Sequence, residues 1–348
     1  MSAATESALR QAWLARGPLA RLLYPASLLY RSLVAVRRRL YAWGWKRATR
    51  LPVPVVVVGN VVVGGAGKTP ATIASVRHLI AQGWHPGVVS RGHGRRGTQA
   101  MAVRPDSPPS GCGDEPLLIQ RATGVPVFVG RQRAAAAQAL LRAHPTVDVI
   151  VCDDGLQHLA LARDLEIVVF DDRGLGNGWC LPAGLLREPW PRQSTMPGLV
   201  LHQQRQHTPP FCPGFVAHRA LSSNGVDASG ASTPLADLAA SQAPVIALAG
   251  IARPEVFFDM LVEAGLQLAD TWPLPDHADL ATLWPELQAQ CPAGATVLGT
   301  EKDAVKLWPL LDKTAPRVLA VPLVLTPEPA FFDALDARLS SHHGPQTP

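Results

Sequence analysis

The chain has 348 residues, 47% hydrophobic and 6% aromatic, with 33 prolines and 29 glycines that follow no repeat. That length buries one or two real cores, and the composition excludes collagen-like and generally disordered chains. The net charge is +5, yet residues 1–50 hold ten basic residues against Glu6 alone, net +9, leaving −4 for the remainder; basicity confined to one end excludes a dispersed nucleic-acid surface, and no nucleic-acid partner is expected.

Residues 1–50 form the first unit. Their charges run through and beyond the apolar part, which is not the plan of a cleaved signal peptide. The longest stretch without a charge, Leu22–Tyr30, has nine residues, and a spanning helix needs about 20, which argues against a clean transmembrane span. From Pro25, placed in a first turn, Ala26, Leu29, Leu33, Val36, Leu40 and Trp43 recur at helical spacing and trace one apolar face. Arg31, Arg38 and Arg39 fall largely off that stripe, and Tyr24, Tyr30, Tyr41, Trp13, Trp43 and Trp45 cluster around it. Such a helix lies in a membrane interface near anionic lipid, or docks on its own domain or a partner; charge and aromatics favour the membrane.

Residues 51–220 form the second unit. The run "VPVVVVG" (Val53–Gly59) has the character of a strand buried on both faces. It feeds "NVVVGGAGKTP" (Asn60–Pro70), and a helical pattern follows to Gly83. Strand, glycine-rich turn, Lys-Thr and helix make a phosphate-binding loop: backbone N–H groups and the helix N-terminus receive phosphate oxygens. Val62, Val63, Gly64, Gly65, Ala66, Gly67, Lys68 and Thr69 are the expected ATP-binding residues. Lys68 would neutralise the β- and γ-phosphates, and Thr69 would offer its hydroxyl to Mg2+. The usual pattern has glycine where this chain has Val62; Gly64 and Gly65 supply the turn instead.

Further strand–helix alternation follows: "HPGVVS", a basic loop "RGHGRRG", "VPVFVG", the helix 131–143, "VDVIVCDD" and "EIVVFDD". This rhythm predicts a doubly wound parallel α/β sheet with its site at the strand C-termini. Asp153 and Asp154 end one such strand, and paired carboxylates suit Mg2+, a hard cation that prefers oxygen. Gln157 and His158 follow on a loop toward the same crevice. Asp114 and Glu115 precede an apolar helical run, where they either cap the helix and complement its dipole or serve as a proton acceptor and a metal carboxylate.

Beyond Pro182 periodicity fades, and Ser222–Pro234 reads as a loop or linker. A smaller α/β lobe is expected over residues 221–340, through "APVIALAGI", the helix 254–264, "GATVLGT", "EKDAVKLWPLL" and "PRVLAVPL", with a frayed tail at 341–348. His277 beside Asp276 in a proline-rich loop could couple to a catalytic carboxylate or simply face solvent. Cys112, Cys152, Cys180, Cys212 and Cys291 lack CxxC spacing and read as reduced thiols.

These motifs together resemble a known family. "VPVVVVGNVVVGGAGKTP", "GDEP", "DDGLQH" with "RDLEIVVFD", "GLLREP", "AGIARPEVFF", Asp276–His277 and "TEKDAVK" stand in the order found in tetraacyldisaccharide 4'-kinases, from about Leu19 to Leu339. The displaced glycine is a feature of that family's own loop. The resemblance implies transfer of the ATP γ-phosphoryl group to the 4'-hydroxyl of a tetraacylated disaccharide 1-phosphate, with Mg2+, at the cytoplasmic face of the bacterial inner membrane. It implies Asp114 as general base supported by His277, Lys68 in catalysis, and Mg2+ arranged by Thr69, Glu115 and Asp153 or Asp154. Asn60, Arg133, Gln157, His158 and Arg187 would contact substrate or phosphates. No obligate protein partner is implied.

Two positions depart from the family pattern: Ala278 replaces a second histidine after His277, and "GLLREP" replaces Gly-Pro-Leu-Arg-Glu-Pro. The alternative is a membrane-associated NTPase switch or metallochaperone. It accounts for the loop and Asp153 but leaves the N-terminal helix, Asp114 and His277 without roles.

Overall fold

The computed structural model describes residues 11–65, 67–95, 97–192, 198–205, 210–276, 278–312 and 314–340. Among these a nine-stranded sheet has the order β15-β8-β7-β6-β1-β5-β2-β4-β3. Its strands are β1 (Val55–Gly59), β2 (Pro86–Ser90), β3 (Met101–Val103), β4 (Val127–Val129), β5 (Val149–Asp153), β6 (Leu165–Phe170), β7 (Gly198–Gln204), β8 (Phe215–Leu221) and β15 (Leu323–Pro327). Every neighbouring pair from β4 through β8 is parallel, and β3 and β15 close the two edges antiparallel.

The central strands bury both faces, which is why they read as unbroken apolar runs. Val56 and Val58 face a core that includes α2 (Lys68–Ala81), α4 (Asp114–Thr123) and α10 (Pro329–Ser340), through Val76, Leu79, Leu117, Phe331 and Leu335. Val55 and Val57 face the opposite core, with Ala136, Ala137 and Leu140 of α5 (Arg133–Ala143) and Leu185 and Leu186 of a long loop. A one-turn helix, α3 (Pro109–Cys112), leads into α4.

The second sheet has the order β10-β9-β14-β13-β11-β12. Its strands are β9 (Asn224–Val226), β10 (Ser232–Pro234), β11 (Val245–Ala249), β12 (Leu268–Pro273), β13 (Thr296–Thr300) and β14 (Arg317–Val321). Val245, Ala247 and Ala249 face the core of α6 (Leu235–Ala240) and α7 (Pro254–Glu263), and Ile246 and Leu248 face that of α8 (Leu280–Ala289) and α9 (Glu301–Leu307).

Two expectations about the second lobe are revised. The expected 221–340 lobe is not one contiguous block: β15 pairs with β8 of the first sheet, and Phe331, Leu335 and Leu339 of α10 bury in the first core. The stretch 222–234, expected as a linker, adds the short antiparallel strands β9 and β10. Its small polar residues can pair at a sheet edge that needs little burial. The expected 341–348 tail lies outside the described residues.

The N-terminal helix α1 also starts earlier, spanning Pro18–Ala42 with Pro18 in its first turn and Pro25 inside it. Over these 25 residues it is long and apolar enough to cross a membrane by length and composition, with mean hydropathy 1.2 in its most apolar window, of which 11% is buried. One face is docked: Ser27 Oγ donates to Cys180 O at 2.8 Å, Tyr30 Oη to Arg187 O at 2.7 Å and Arg37 Nη2 to Gln157 O at 3.0 Å, while Arg38 pairs with Glu188. Leu29, Leu33, Val36 and Trp43 of the stripe read from the sequence are exposed, as is Leu22 outside it. The five cysteines are free, and Cys152 is buried in β5.

Candidate active site

The turn after β1 is set by glycine geometry. Gly64 and Gly67 adopt φ of 85° and 67°, in the left-handed region. A Cβ on Gly67 would lie 1.9 Å from Gln203 Oε1, and Gln203 Nε2 donates to Gly67 O at 2.6 Å, so β7, two places along the sheet from β1, clamps the loop. Arg173 braces the same turn, donating from Nη1 to Val63 O at 3.0 Å and from Nη2 to Gly65 O at 3.5 Å. Asp171 holds Arg173 Nε at 2.9 Å and also accepts from Arg253 Nη2 at 3.2 Å, tying the loop to the second lobe.

The loop opens on a cleft of about 490 Å³ between the two sheets, lined by Gly64, Gly65, Gly67, Lys68 and Thr69 on one side. Ser90 and Asp154 line it from strand ends, Glu115 from the first turn of α4, Arg187 from the long loop, and Arg253, Lys302, Phe257 and Met260 from the second lobe. The expected Val62 and Val63 are not lining residues. Val62 is fully buried in a β-bridge to Leu186, and Val63 N bonds Leu185 O, so an apolar pair anchors the loop where the usual pattern has glycine. Ala66 lies outside the described residues.

The carboxylates converge as expected, although unequally. Asp153 is fully buried and accepts from Thr72 Oγ1 and Ser90 Oγ, each at 3.2 Å. Burial, and then the Glu115 and Asp154 carboxylates, push its pKa up to about 7 against the pull of Lys68. Asp154 sits at φ 48°, unusual for a residue other than glycine. Its carboxylate lies 3.9 Å from Lys68 Nζ and 3.3 Å from Arg187 Nη1, while Arg133 Nη2 donates to its carbonyl at 3.2 Å. A strained backbone held from both ends aims this carboxylate at the loop.

Other expected residues support this frame. Arg133 is buried against the Asp154 and Arg131 carbonyls and is absent from the cleft lining. Gln157 donates to Asn60 O at 3.0 Å and Glu188 Oε1 at 3.1 Å, bracing the loop's first residue. Asn60 is fully buried, with no partner for its amide among the described residues. His158 is half-buried, and burial followed by Arg133, Arg163, Arg37 and Arg91 lowers its pKa to about 4, so it is neutral near pH 7.

Asp114 begins α4, mostly buried, in an ion pair of 2.8 Å with Lys306. Asp276 pairs with Lys302 at 2.7 Å. His277 lies outside the described residues.

Sequence reasoning missed Thr72, Ser90, Arg173, Gln203, Lys302 and Lys306. Thr72 follows Thr69 by three residues on one helix face, and Ser90 and Arg173 sit at or just past strand ends, where such sites gather. Lys302 and Lys306, four apart on α9, read as an ordinary helix start until Asp276 and Asp114 are seen beside them.

The model of the family described as LpxK, tetraacyldisaccharide-1-P 4'-kinase, matches residues 19–340. A tetraacyldisaccharide 4'-kinase of Polaromonas naphthalenivorans is 55% identical, over 97% of this chain and 98% of its own. One of Acidovorax sp. strain JS42 is also 55% identical, over 96% and 94%. A crystal structure described as the "apo" form of LpxK from Aquifex aeolicus in complex with ATP superposes with a TM-score of 0.75 at 25% identity, covering 92% of this chain and 99% of that one. The chain belongs to the tetraacyldisaccharide-1-P 4'-kinase family.

Proposed function

We infer that this cleft transfers the γ-phosphoryl group of ATP to the 4'-hydroxyl of a tetraacyldisaccharide 1-phosphate, giving lipid IVA in lipid A biosynthesis. The observation that carries this reading is the convergence of Lys68 and two strand-end carboxylates on one glycine turn, in a chain of this family.

In the proposed roles, backbone N–H groups of the turn and Lys68 hold the β- and γ-phosphates, and Arg187 offers a second cation. Asp114, paired with Lys306, accepts the proton of the 4'-hydroxyl, with His277 assisting. The sugar oxygen bonds to the γ-phosphorus as the bond to the β,γ-bridging oxygen breaks, and ADP leaves. Arg133 and Gln157 act by keeping Asp154 and Asn60 in place.

Mg2+ fits the donor set, which is all oxygen: Asp153, Asp154, Glu115 and Thr69. Crowding of carboxylates around Asp153 leaves negative charge that a divalent cation would neutralise. Among the described residues no group of three His, Cys, Asp or Glu side chains could hold a metal by themselves, in keeping with a cation that keeps water and phosphate oxygens as ligands. When bound, Mg2+ would neutralise charge on the β- and γ-phosphates.

The exposed stripe of α1 supports a place at a membrane surface, and we assign it to the cytoplasmic face of the bacterial inner membrane, where ATP is available. Acyl chains leave a bilayer at a cost of about 0.8 kcal/mol per CH2, so the enzyme comes to the lipid.

Incubation with γ-labelled ATP, Mg2+ and detergent-dispersed lipid disaccharide 1-phosphate tests the assignment. Label should enter the lipid, and Asp114→Ala should abolish the transfer. Steady phosphate release with unlabelled lipid would instead support an NTPase.

A further inference from the structure

Arg219 lies near the C-terminal end of β8 and lines the cleft, with its side chain 8% exposed. Its Nε and Nη2 have no hydrogen-bond acceptor among the described residues. Its ion-pair partner, Asp172, stands 3.6 Å away, beyond hydrogen-bond reach. A guanidinium carries five donors, and burying them without acceptors is costly. The surroundings add to the imbalance: Arg173 and Arg253 already share Asp171, so three guanidiniums face two carboxylates here. This cluster adjoins the glycine turn, since Arg173 bonds the Val63 and Gly65 carbonyls and a Cβ on Gly65 would lie 3.8 Å from Ala252 Cβ, next to Arg253.

We propose that Arg219, seconded by Arg253, forms an anion subsite that takes a phosphate group of the nucleotide from the β8 side of the cleft. The inference rests on the cleft being the ATP site and adds a residue outside the loop to its phosphate recognition. The lipid acceptor also carries a phosphate. The nucleotide is favoured because the cluster is bonded to the glycine turn itself.

The test compares ADP and adenosine binding, without lipid, by calorimetry for wild type, Arg219→Met, Arg219→Lys and Lys68→Ala. Loss of one charge-assisted contact should weaken ADP about 10- to 100-fold in Arg219→Met and leave adenosine unchanged. Lysine, which keeps the charge without the fork, should restore part of the affinity. A purely structural role would lower the melting temperature of Arg219→Met. Removing a buried, poorly paired cation should instead leave it unchanged or raise it, while the ADP-induced shift shrinks.

Unchanged ADP affinity in Arg219→Met overturns the proposal. If the KM for lipid then rises alone, the acceptor's phosphate is the occupant instead. A wild type that fails to bind ADP overturns the reading of the cleft, and the subsite falls with it; ADP loss confined to Lys68→Ala removes the subsite only.

Discussion

The two walls of the cleft balance their charges differently. On the wall built from β1, β5 and α4, Asp153, Asp154 and Glu115 gather beside Lys68 and Arg187, and Asp153 is pushed up to about 7 by burial and its acidic neighbours. On the wall around β6, β8 and the Arg253 loop, Arg173, Arg219 and Arg253 outnumber Asp171 and Asp172. The acidic wall is also the one to which α1 is bonded, through the Arg187 and Gln157 carbonyls. A polyphosphate between the walls would meet guanidiniums on one side and, on the other, carboxylates suited to a divalent cation. On the proposed reading the difference separates two tasks: the basic wall adds to the nucleotide binding of the glycine turn, and the carboxylates opposite arrange metal and acceptor.

Removing the cation embedded in the acidic wall should break this arrangement most severely. Lys68 is 9% exposed and its Nζ lies 3.9 Å from Asp154. Lys68→Ala should lower turnover roughly 10²–10³-fold, the scale of losing one preorganised charge in a transition state. Lipid labelling from ATP measures it, and turnover within a few-fold of wild type would remove Lys68 from the chemistry.

The link between the walls should give a smaller effect of another kind. Arg173 touches loop carbonyls, so Arg173→Ala loosens the turn without deleting a catalytic charge. The KM for ATP should rise about tenfold with a lesser change in kcat, as expected when a charged hydrogen bond that shapes a site is lost. A drop in kcat alone would show that the bracing matters to chemistry rather than to binding.

Much of the first sheet could be read because its strands are buried on both faces and spell continuous β-branched runs. The strand-end rule then located Asp153, Asp154 and the glycine turn. β7 and β8 escaped because prolines and polar residues surround them, and His202, Gln203 and Gln204 of β7 are buried polar residues that no periodicity flags. Arg133 and Gln157 stand in the expected neighbourhood, bonded there to protein groups: the Asp154 carbonyl for one, the Asn60 carbonyl and Glu188 for the other. Sequence shows that a polar group stands near a strand end, but whether it meets a ligand or a backbone carbonyl depends on packing between distant segments. The return of β15 and α10 to the first sheet has the same origin, since edge pairing leaves little trace in local pattern. Pro25 misled because Pro18 satisfies the same rule one segment earlier.

The helix offers a way to sharpen the comparison, because it is bonded to the acidic wall through the Arg187 and Gln157 carbonyls. Replacing Leu29 and Leu33 together by Asp changes the exposed stripe and spares the docked face of Ser27, Tyr30 and Arg37. Each buried leucine contributes about 1.5–3 kcal/mol, so vesicle affinity should fall at least tenfold. The KM for lipid should rise while ADP affinity stays the same. Loss of ADP affinity would mean that the helix acts on both walls.

The smallest expected effect concerns pH. Burial and the guanidiniums of Arg133, Arg163, Arg37 and Arg91 lower the His158 pKa to about 4, from 6.5. A depressed folded value means that the unfolded chain binds the proton first. The stability associated with neutral His158 is therefore fully present above pH 6.5 and is lost as the pH falls toward 4. Gln cannot take up that proton, so His158→Gln should show a shallower decline of melting temperature across this window. The loss on going from pH 7 to 5 should be smaller than in wild type by roughly 2–4 °C, a modest figure because the ring is partly open to water. All other titrating groups are common to the two proteins and cancel in the comparison. Parallel melting curves would mean that neither burial nor the four arginines act on the His158 ring.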